Sequence, residues 1–273
     1  MNPPSLSTLS LSLEQGIAEI RLNRPDKSNA MNDAMWQEIR QAFDWVDATP
    51  EARVAILSGA GRNFCAGIDL TLLAGIQQRI AHPDAARSRE ALRRLILDLQ
   101  DCLSSVERCR KPVLAAIQGA CIGGALDLVT SCDMRYAAAD AVFSVREIDL
   151  GMVADVGTLQ RLPRLIPEGA ARELAFTGRN FRAEEGERLG LINRVFASNE
   201  ALTAAVRELA QTIAAKSPLS MRGIKEVMNF SRDHSVADGL NFVATWNASM
   251  LLSGDLNEAI SAQREKRAPR FAD

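Results

Sequence analysis

Two short runs built only from apolar residues constrain the fold of this chain more than any other feature. They are residues 54–57 (VAIL) and 113–117 (VLAAI), and each leads into a glycine-containing turn. A strand with no polar face is typical of a sheet that is covered on both sides. Strand, turn and helix patterns then keep alternating up to about residue 196. This alternation predicts an α/β domain with crossover connections.

Periodic apolar residues predict the neighbouring elements. Residues 17–22 (IAEIRL) alternate apolar and polar side chains, which indicates a strand, and residues 23–26 (NRPD) break it. Two helices follow from apolar residues at helical spacing. The first carries Met35, Trp36, Ile39, Phe43 and Val46, and the second carries Leu92, Leu95, Ile96, Leu99 and Leu103 and stops near Pro112.

The pattern from residue 200 onward is entirely helical. Pro218 follows a serine and marks a helix start. We expect Gly239 and Gly254 to interrupt the later helices. We therefore predict a core over residues 1–199 and a helical region over residues 200–273 that caps the core or forms an assembly surface. That region has more apolar residues than a lone surface helix needs, among them Phe242, Trp246, Met250, Leu251 and Leu252.

Charge and composition exclude several classes of protein. The net charge is −2, from 32 basic and 34 acidic residues, so no overall basic field would attract nucleic acid or an anionic membrane. The five cysteines have no C-x-x-C spacing, which argues against a zinc ribbon or a disulfide framework. The two histidines, His82 and His234, lie in polar or loop-like surroundings. We therefore do not expect a histidine-based metal site or a Ser-His-Asp triad.

The ends of the chain and its apolar stretches were compared with the patterns of targeting signals and membrane spans, and none of them matches. The first residues lack a basic start and an apolar run, and no stretch approaches the length of a membrane span. The chain ends in RFAD, which does not match a peroxisomal address. Together with reduced thiols, these features predict a cytoplasmic protein.

Two glycine-containing turns can approach a ligand closely. Residues 64–70 (FCAGIDL) carry Gly67, and residues 118–127 (QGACIGGALD) lead into a helix just after Gly124. Each could be an ordinary turn. Together they could offer two backbone N–H donors to the oxygen of a thioester enolate, and one such donor is typically worth roughly 3–4 kcal/mol.

Three acidic residues occupy apolar surroundings. Asp127 interrupts the run ALDLV, Asp155 lies among small and apolar residues, and Glu147 lies in FSVREI. Buried carboxylates are unfavourable unless they are paired or used, and neighbouring ones push each other's pKa values apart. The alternative is that each one caps a helix or pairs with an arginine, namely Arg135, Arg146 or Arg161.

Several motifs in order resemble the crotonase superfamily, also called the enoyl-CoA hydratase/isomerase family. They are residues 22–25 (LNRP) with the following NA at 29–30, FCAGIDL, the double glycine at 123–124, residues 157–163 (GTLQRLP) and residues 265–267 (EKR). The likeness extends from about residue 10 to residue 271. It implies a crotonase-like spiral of ββα units with an α-helical C-terminal region. It also implies homotrimers or dimers of trimers, with residues 200–273 as the trimerisation region.

Within that family, the chain is most similar to the dienoyl-CoA isomerases, through residues 121–136 and 143–163. The resemblance implies conversion of 3,5-dienoyl-CoA to 2,4-dienoyl-CoA in the β-oxidation of unsaturated acyl chains. The N–H groups of Ile68 and Gly124 would form the oxyanion hole. Glu147 would remove the C2 proton and Asp155 would protonate C6. Asp127 stands where hydratases carry a second glutamate, and would orient or tune Glu147.

The same resemblance implies a coenzyme A channel. Residues 23–29 would line it, with basic side chains near phosphates. The alternative is that these are solvated charges in a turn or at a helix end. No metal, flavin or nicotinamide is implied, since coenzyme A is part of the substrate, and no nucleic acid or membrane partner is expected. The implied substrate-binding residues are Arg24, Lys27, Ala30, Ala66, Gly67, Asp69 and, from a neighbouring subunit, Lys266.

Two other functions remain open at this stage. An enoyl-CoA hydratase, or another acyl-CoA enzyme of the same fold, could use Glu147 with Asp127, although Asp155 argues against it. Some members of the superfamily resemble RNA-binding proteins that carry basic helices. The near-neutral charge gives no such basic stripe.

Overall fold

A computed structural model describes residues 3–273 of the chain. Its strands are β1 (Leu9–Glu14), β2 (Ile17–Leu22), β3 (Val54–Gly59), β4 (Val113–Ile117), β5 (Ala120–Ile122), β6 (Met134–Ala138), β7 (Val142–Ser144), β8 (Phe181–Arg182) and β9 (Arg194–Phe196).

The helices are α1 (Asp33–Ala48), α2 (Leu70–Arg79), α3 (Ala85–Arg108), α4 (Gly124–Thr130), α5 (Thr158–Leu165), α6 (Glu168–Thr177), α7 (Ala183–Leu189), α8 (Asn199–Ala214), α9 (Pro218–Arg232), α10 (Val236–Met250) and α11 (Gly254–Arg264). Two short 3-10 helices span Pro25–Lys27 and Arg146–Leu150.

The strands form two sheets. The larger has the order β1-β2-β3-β4-β6-β9, and every neighbouring pair except β1 with β2 is parallel. The smaller has the order β5-β7-β8. From β4 to β7, successive strands alternate between the two sheets, so that β4, β5 and α4 form one ββα unit and β6 and β7 begin the next. The predicted α/β class and ββα spiral are confirmed.

The apolar run of β4 is explained by burial on both faces, since every residue of this strand is buried. One side of the larger sheet packs against a core shared with α1 and α3, in which Trp36 and Phe43 are fully enclosed. The other side packs against α8 through Leu202, Val206 and Ala210. The strand at residues 113–117 and the helix around residues 35–46 are therefore confirmed.

The C-terminal helices confirm one prediction and correct another. Pro218 begins α9, with the Ser217 side chain accepting the N–H of Ser220. Gly254 begins α11, but Gly239 lies inside α10 and does not interrupt it. A Cβ at position 239 would lie 2.6 Å from the Ser231 hydroxyl oxygen, so the glycine allows α9 and α10 to pack closely.

The region after residue 200 packs in two ways. Helix α8 covers the larger sheet, whereas α9, α10 and α11 leave large apolar side chains exposed. A boundary at residues 199–200 and a trimerisation role for residues 200–273 stay predictions. Within residues 3–273, no helix has both the length and the apolar character needed to cross a bilayer. The exposed apolar side chains include Ile224, Met228, Leu240, Leu251 and Leu252.

Candidate active site

The two glycine-containing turns lie side by side. The Cys65 N–H donates to the Ala120 carbonyl at 2.9 Å, and the Ile122 N–H donates to the Cys65 carbonyl at 3.1 Å. These bonds hold the segment after β3 against β5, which leads into α4. Two distant parts of the sequence therefore meet at the site predicted to bind the oxygen of a thioester enolate.

Gly67 permits the close approach of these segments. Its φ of +92° is rarely adopted by other residues, and a Cβ there would lie 2.5 Å from the Ile122 carbonyl oxygen. The same Cβ would lie 3.4 Å from the Gly124 nitrogen, and a Cβ on Gly124 would lie 3.8 Å from the Ile68 nitrogen. The N–H groups of Ile68 and Gly124 are thus neighbours.

Neither of these two N–H groups donates to a protein acceptor within residues 3–273. Gly124 is the first residue of α4, where backbone N–H groups have no partner inside the helix. Ile68 lies in a short bridge beside Met31. Two adjacent, unpaired donors form an arrangement that could stabilise an oxyanion.

Glu147 lies beside this pair of donors. A Cβ on Gly123 would be 3.1 Å from Glu147 Oε1, and Gly123 adjoins Gly124. Glu147 Oε2 is buried and has no hydrogen-bond partner in the described chain. Burial, followed by the negative charge of Asp127, raises the pKa of Glu147 to about 7. A carboxylate with that pKa is well matched to general base catalysis near neutral pH.

Asp127 is completely buried in the first turn of α4. Its Oδ1 accepts the Thr158 N–H at 2.5 Å, whereas its Oδ2 finds no partner among residues 3–273. Burial raises the pKa of Asp127 to about 6, and the Thr158 N–H opposes that rise. Asp127 therefore holds its charge less readily than an exposed aspartate.

Asp155 is partly buried in the loop before α5. Its backbone carbonyl accepts from Gln100 Nε2 of α3 at 2.6 Å, which fixes the loop to that helix. Burial raises the pKa of the Asp155 carboxyl above its ordinary value. Asp155 also lines a cavity of about 540 Å³ together with Gln100 and Gln160.

The expected alternative, pairing of these acids with arginines, is wrong. Arg135 donates to backbone carbonyls, including that of Leu191. Arg146 pairs with Asp149, and Arg161 pairs with Glu107. The helix-capping alternative holds for Asp127, because the Thr158 N–H that it accepts belongs to the first residue of α5.

The implied coenzyme A loop is held by an ion pair. Arg24 Nη1 donates to Asp69 Oδ2 at 3.0 Å and to the Ala30 carbonyl at 2.5 Å. Asp69 also caps α2 by accepting the Thr71 N–H. Arg24 and Asp69 are therefore engaged with each other. The exposed Lys27 side chain lines the same cavity of about 500 Å³ as both of them.

Of the other implied binding residues, Ala30 and Ala66 lie in the two loops of the site, whereas Lys266 does not. The Ala66 N–H donates to the Ser28 carbonyl, which joins the two loops. Ala30 follows directly in the first of these loops. Lys266 lies after α11, is exposed, and forms no hydrogen bond or ion pair with the other implied site residues in the described chain. One chain thus assembles the three acids and the two N–H donors, but not Lys266.

Sequence reasoning missed two residues that shape this site. Thr158 donates its N–H to Asp127, and Gln100 holds the loop that carries Asp155. Thr158 lies within the motif at residues 157–163, so its position offered a signal. Nothing in the helical pattern of α3 distinguished Gln100.

Comparison with known proteins gives relatives along nearly the whole chain. A peroxisomal Δ(3,5)-Δ(2,4)-dienoyl-CoA isomerase of Arabidopsis thaliana is 47% identical over 269 residues, which cover 98% of this chain and 97% of that protein. A mitochondrial Δ(3,5)-Δ(2,4)-dienoyl-CoA isomerase of Homo sapiens is 44% identical, over 94% of this chain and 78% of that protein. The predicted similarity to dienoyl-CoA isomerases is confirmed.

The prediction of a cytoplasmic protein is wrong. The relatives carry organelle names, peroxisomal in Arabidopsis thaliana and mitochondrial in Homo sapiens and Dictyostelium discoideum. Near-neutral charge and reduced thiols do not distinguish the cytosol from the interior of such organelles.

Solved structures and family membership agree with the fold. The crystal structure of an enoyl-CoA hydratase from Bacillus anthracis matches with a TM-score of 0.88 and 30% identity, over 97% of this chain and 99% of that chain. The enoyl-CoA hydratase/isomerase family matches residues 12–273. This chain therefore belongs to the enoyl-CoA hydratase/isomerase family, and it is an enzyme of that family.

Proposed function

We propose that this enzyme converts 3,5-dienoyl-CoA to 2,4-dienoyl-CoA in the β-oxidation of unsaturated acyl chains. The relatives described above, named as dienoyl-CoA isomerases, support this substrate class. The residue that carries the proposal is Asp155. It is a partly buried acid without a cationic partner in residues 3–273, and it shares its surroundings with Glu147.

The first step is loss of a proton from C2. Glu147 accepts that proton, and negative charge develops on the thioester oxygen. The N–H groups of Ile68 and Gly124 would donate to this oxygen, and each such donor is typically worth about 3–4 kcal/mol in the transition state. Their lack of protein acceptors leaves both free for this purpose.

The second step is proton delivery to C6. Four carbon–carbon bonds separate C2 from C6 in the extended dienolate, so a second acid is needed to reach the distant carbon. Asp155 supplies it, because partial burial favours the protonated form of its carboxyl. The reaction moves only protons and double bonds, so we propose no cofactor besides the coenzyme A of the substrate.

Coenzyme A would bind along the loops at residues 23–30 and 66–69. Lys27 is the cation with an uncommitted side chain there, since Arg24 is paired with Asp69. We propose that Lys27 contacts phosphate, and that Arg24, Asp69, Ala30, Ala66 and Gly67 shape the channel. Lys266 would contribute from a neighbouring subunit.

We also propose a homotrimer or a dimer of trimers. Leu252 and Met228 of the C-terminal region are 91% and 68% exposed. Several large apolar side chains exposed within one region are typical of a protein interface. Static light scattering of the purified protein tests this assembly, and a monomer at micromolar concentration would contradict it.

The experiment that tests the function uses two substrates in parallel. Purified enzyme with a 3,5-dienoyl-CoA should produce the ultraviolet absorbance of a conjugated 2,4-dienoyl thioester. With a simple 2-enoyl-CoA, absorbance should change little, whereas a hydratase would remove the conjugation. Rapid hydration of the 2-enoyl-CoA without isomerisation of the 3,5-dienoyl-CoA would refute the proposal. It would also leave Asp155 without a function.

A further inference from the structure

Buried oxygen atoms without partners are concentrated at one place. In the described part of the chain, four buried side-chain oxygens lack a hydrogen bond, and three of them are Asp127 Oδ2, Glu147 Oε2 and Thr158 Oγ1. Such atoms are rare in folded proteins because leaving them unpaired is unfavourable. The proposed reaction uses Glu147, but it gives Asp127 no chemical task.

A series of contacts links Asp127 to the surroundings of both reacting acids. Its N–H donates to the Gly123 carbonyl at 3.3 Å, and Gly123 lies against Glu147 Oε1. Its Oδ1 accepts the N–H of Thr158, which follows Asp155 by three residues. Three residues span at most about 10 Å of chain, so Asp155 is also near.

The charges of the three acids influence one another, as expected of carboxyl groups that lie close together. After burial, the charge of Asp127 is the largest influence that raises the pKa of Glu147. The charge of Asp155 also raises the pKa values of Asp127 and Glu147. Burial raises the pKa values of Asp127 and Glu147 to about 6 and about 7, so either carboxyl can carry a proton near neutral pH.

The chemistry then requires a return path, an argument that rests on the proposed function. In each turnover, a C2–H bond breaks and its proton goes to Glu147. A C6–H bond forms with the proton of Asp155. The cycle ends with Glu147 protonated and Asp155 ionised, the reverse of the starting state. No further substrate can react until a proton has moved back.

We propose that Asp127 is the relay that carries this proton from Glu147 to Asp155. Glu147 gives its proton to the Asp127 carboxylate, and Asp127 then gives a proton to the Asp155 carboxylate. Glu147 ends ionised, Asp155 ends protonated, Asp127 is unchanged, and no proton is exchanged with water. The Thr158 N–H fixes Asp127 through one oxygen and leaves the other oxygen available to carry the proton.

The competing route passes through solvent. Asp155 lines the cavity of about 540 Å³ beside α3, and water there could replace its proton. In that case, the proton taken from C2 would be diluted into water. In the relay, it would be stored on the enzyme and delivered to the next substrate molecule. The two routes therefore differ in where an isotopic label goes.

The experiment is a competition between two substrates in ordinary water. One 3,5-dienoyl-CoA carries deuterium at C2. The other carries no deuterium, but its acyl tail is marked with carbon-13. Both are supplied at saturating concentration, and the products are separated by mass. Deuterium at C6 of the carbon-13 product is the expected result, since it must have passed from one substrate molecule to the other through the enzyme.

The variants test the role of Asp127. Asp127→Asn should reduce this transfer at least tenfold, and its kcat should fall and become dependent on buffer concentration. Asp127→Glu, which keeps a carboxyl, should restore part of the transfer. Asp44→Asn changes an exposed aspartate of α1 and should behave as wild type. Circular dichroism of each variant establishes that it is folded.

Two results would overturn the relay. One is the absence of transfer in wild type at saturating substrate, which would assign the return path to solvent. The other is undiminished transfer in folded Asp127→Asn. Both are distinct from failure of the proposed function, in which wild type would not convert 3,5-dienoyl-CoA at all.

Discussion

Gly67→Ala is the substitution that most directly tests the proposed oxyanion hole. The new Cβ would lie 2.5 Å from the Ile122 carbonyl oxygen, whereas ordinary contact begins at 3.4 Å. The φ of +92° adds strain for any residue with a Cβ. The backbone must therefore move by roughly 1 Å, a displacement that can lower a rate by about 10²-fold even when it originates far from the chemistry.

The displaced group would be the adjacent Ile68 N–H. Loss of one oxyanion donor lowers kcat by about 10²- to 10³-fold, so we expect a fall in that range. KM for the dienoyl-CoA should change much less, because the enolate charge develops mainly in the transition state. Steady-state kinetics in the absorbance assay measure both quantities.

Gly169→Ala is the matched control for this substitution. Gly169 lies in α6, and a Cβ there would have no atom within 4 Å. Its kcat should remain near that of wild type, and its stability should not fall. If Gly67→Ala is folded and retains the kcat of Gly169→Ala, the Ile68 N–H does not stabilise the enolate.

The remaining predictions concern the acids and the helical region. Glu147 must be ionised to act as a base, so kcat/KM should rise with pH up to about 7, and this limb should be absent from the residual activity of Glu147→Gln. Asp155→Asn should block protonation of C6, so formation of the 2,4-dienoyl product at the wild-type rate by the folded variant would contradict its role. Because folding raises the pKa of Asp127, the free energy of unfolding falls as the pH rises from about 4 to about 6 and stays lowered above that. Asp127→Asn should therefore raise the free energy of unfolding by up to about 3 kcal/mol at pH 8 and by little below pH 4, as denaturant titrations at the two pH values would show. Leu252→Glu should weaken the proposed assembly, as measured by light scattering.

Much of the fold follows from local patterns. The apolar run of β4 and the helical spacing of residues 35–46 identify their elements, because burial leaves a direct periodic signal in the sequence. Glycine gave a weaker signal. Gly254 marks a break between helices, whereas Gly239 serves close packing inside α10, and the sequence does not distinguish these uses.

The sequence by itself therefore determined the α/β class, the family and the five residues proposed for proton transfer and oxyanion binding. The tertiary structure decided how those residues interact. Only folding brings Thr158 to Asp127, encloses the unpaired oxygens of Asp127 and Glu147, and engages Arg24 with Asp69. These relations depend on burial and on distances between residues far apart in the chain. The same burial raises the pKa values of the three acids, because it removes the water that would otherwise stabilise their charges.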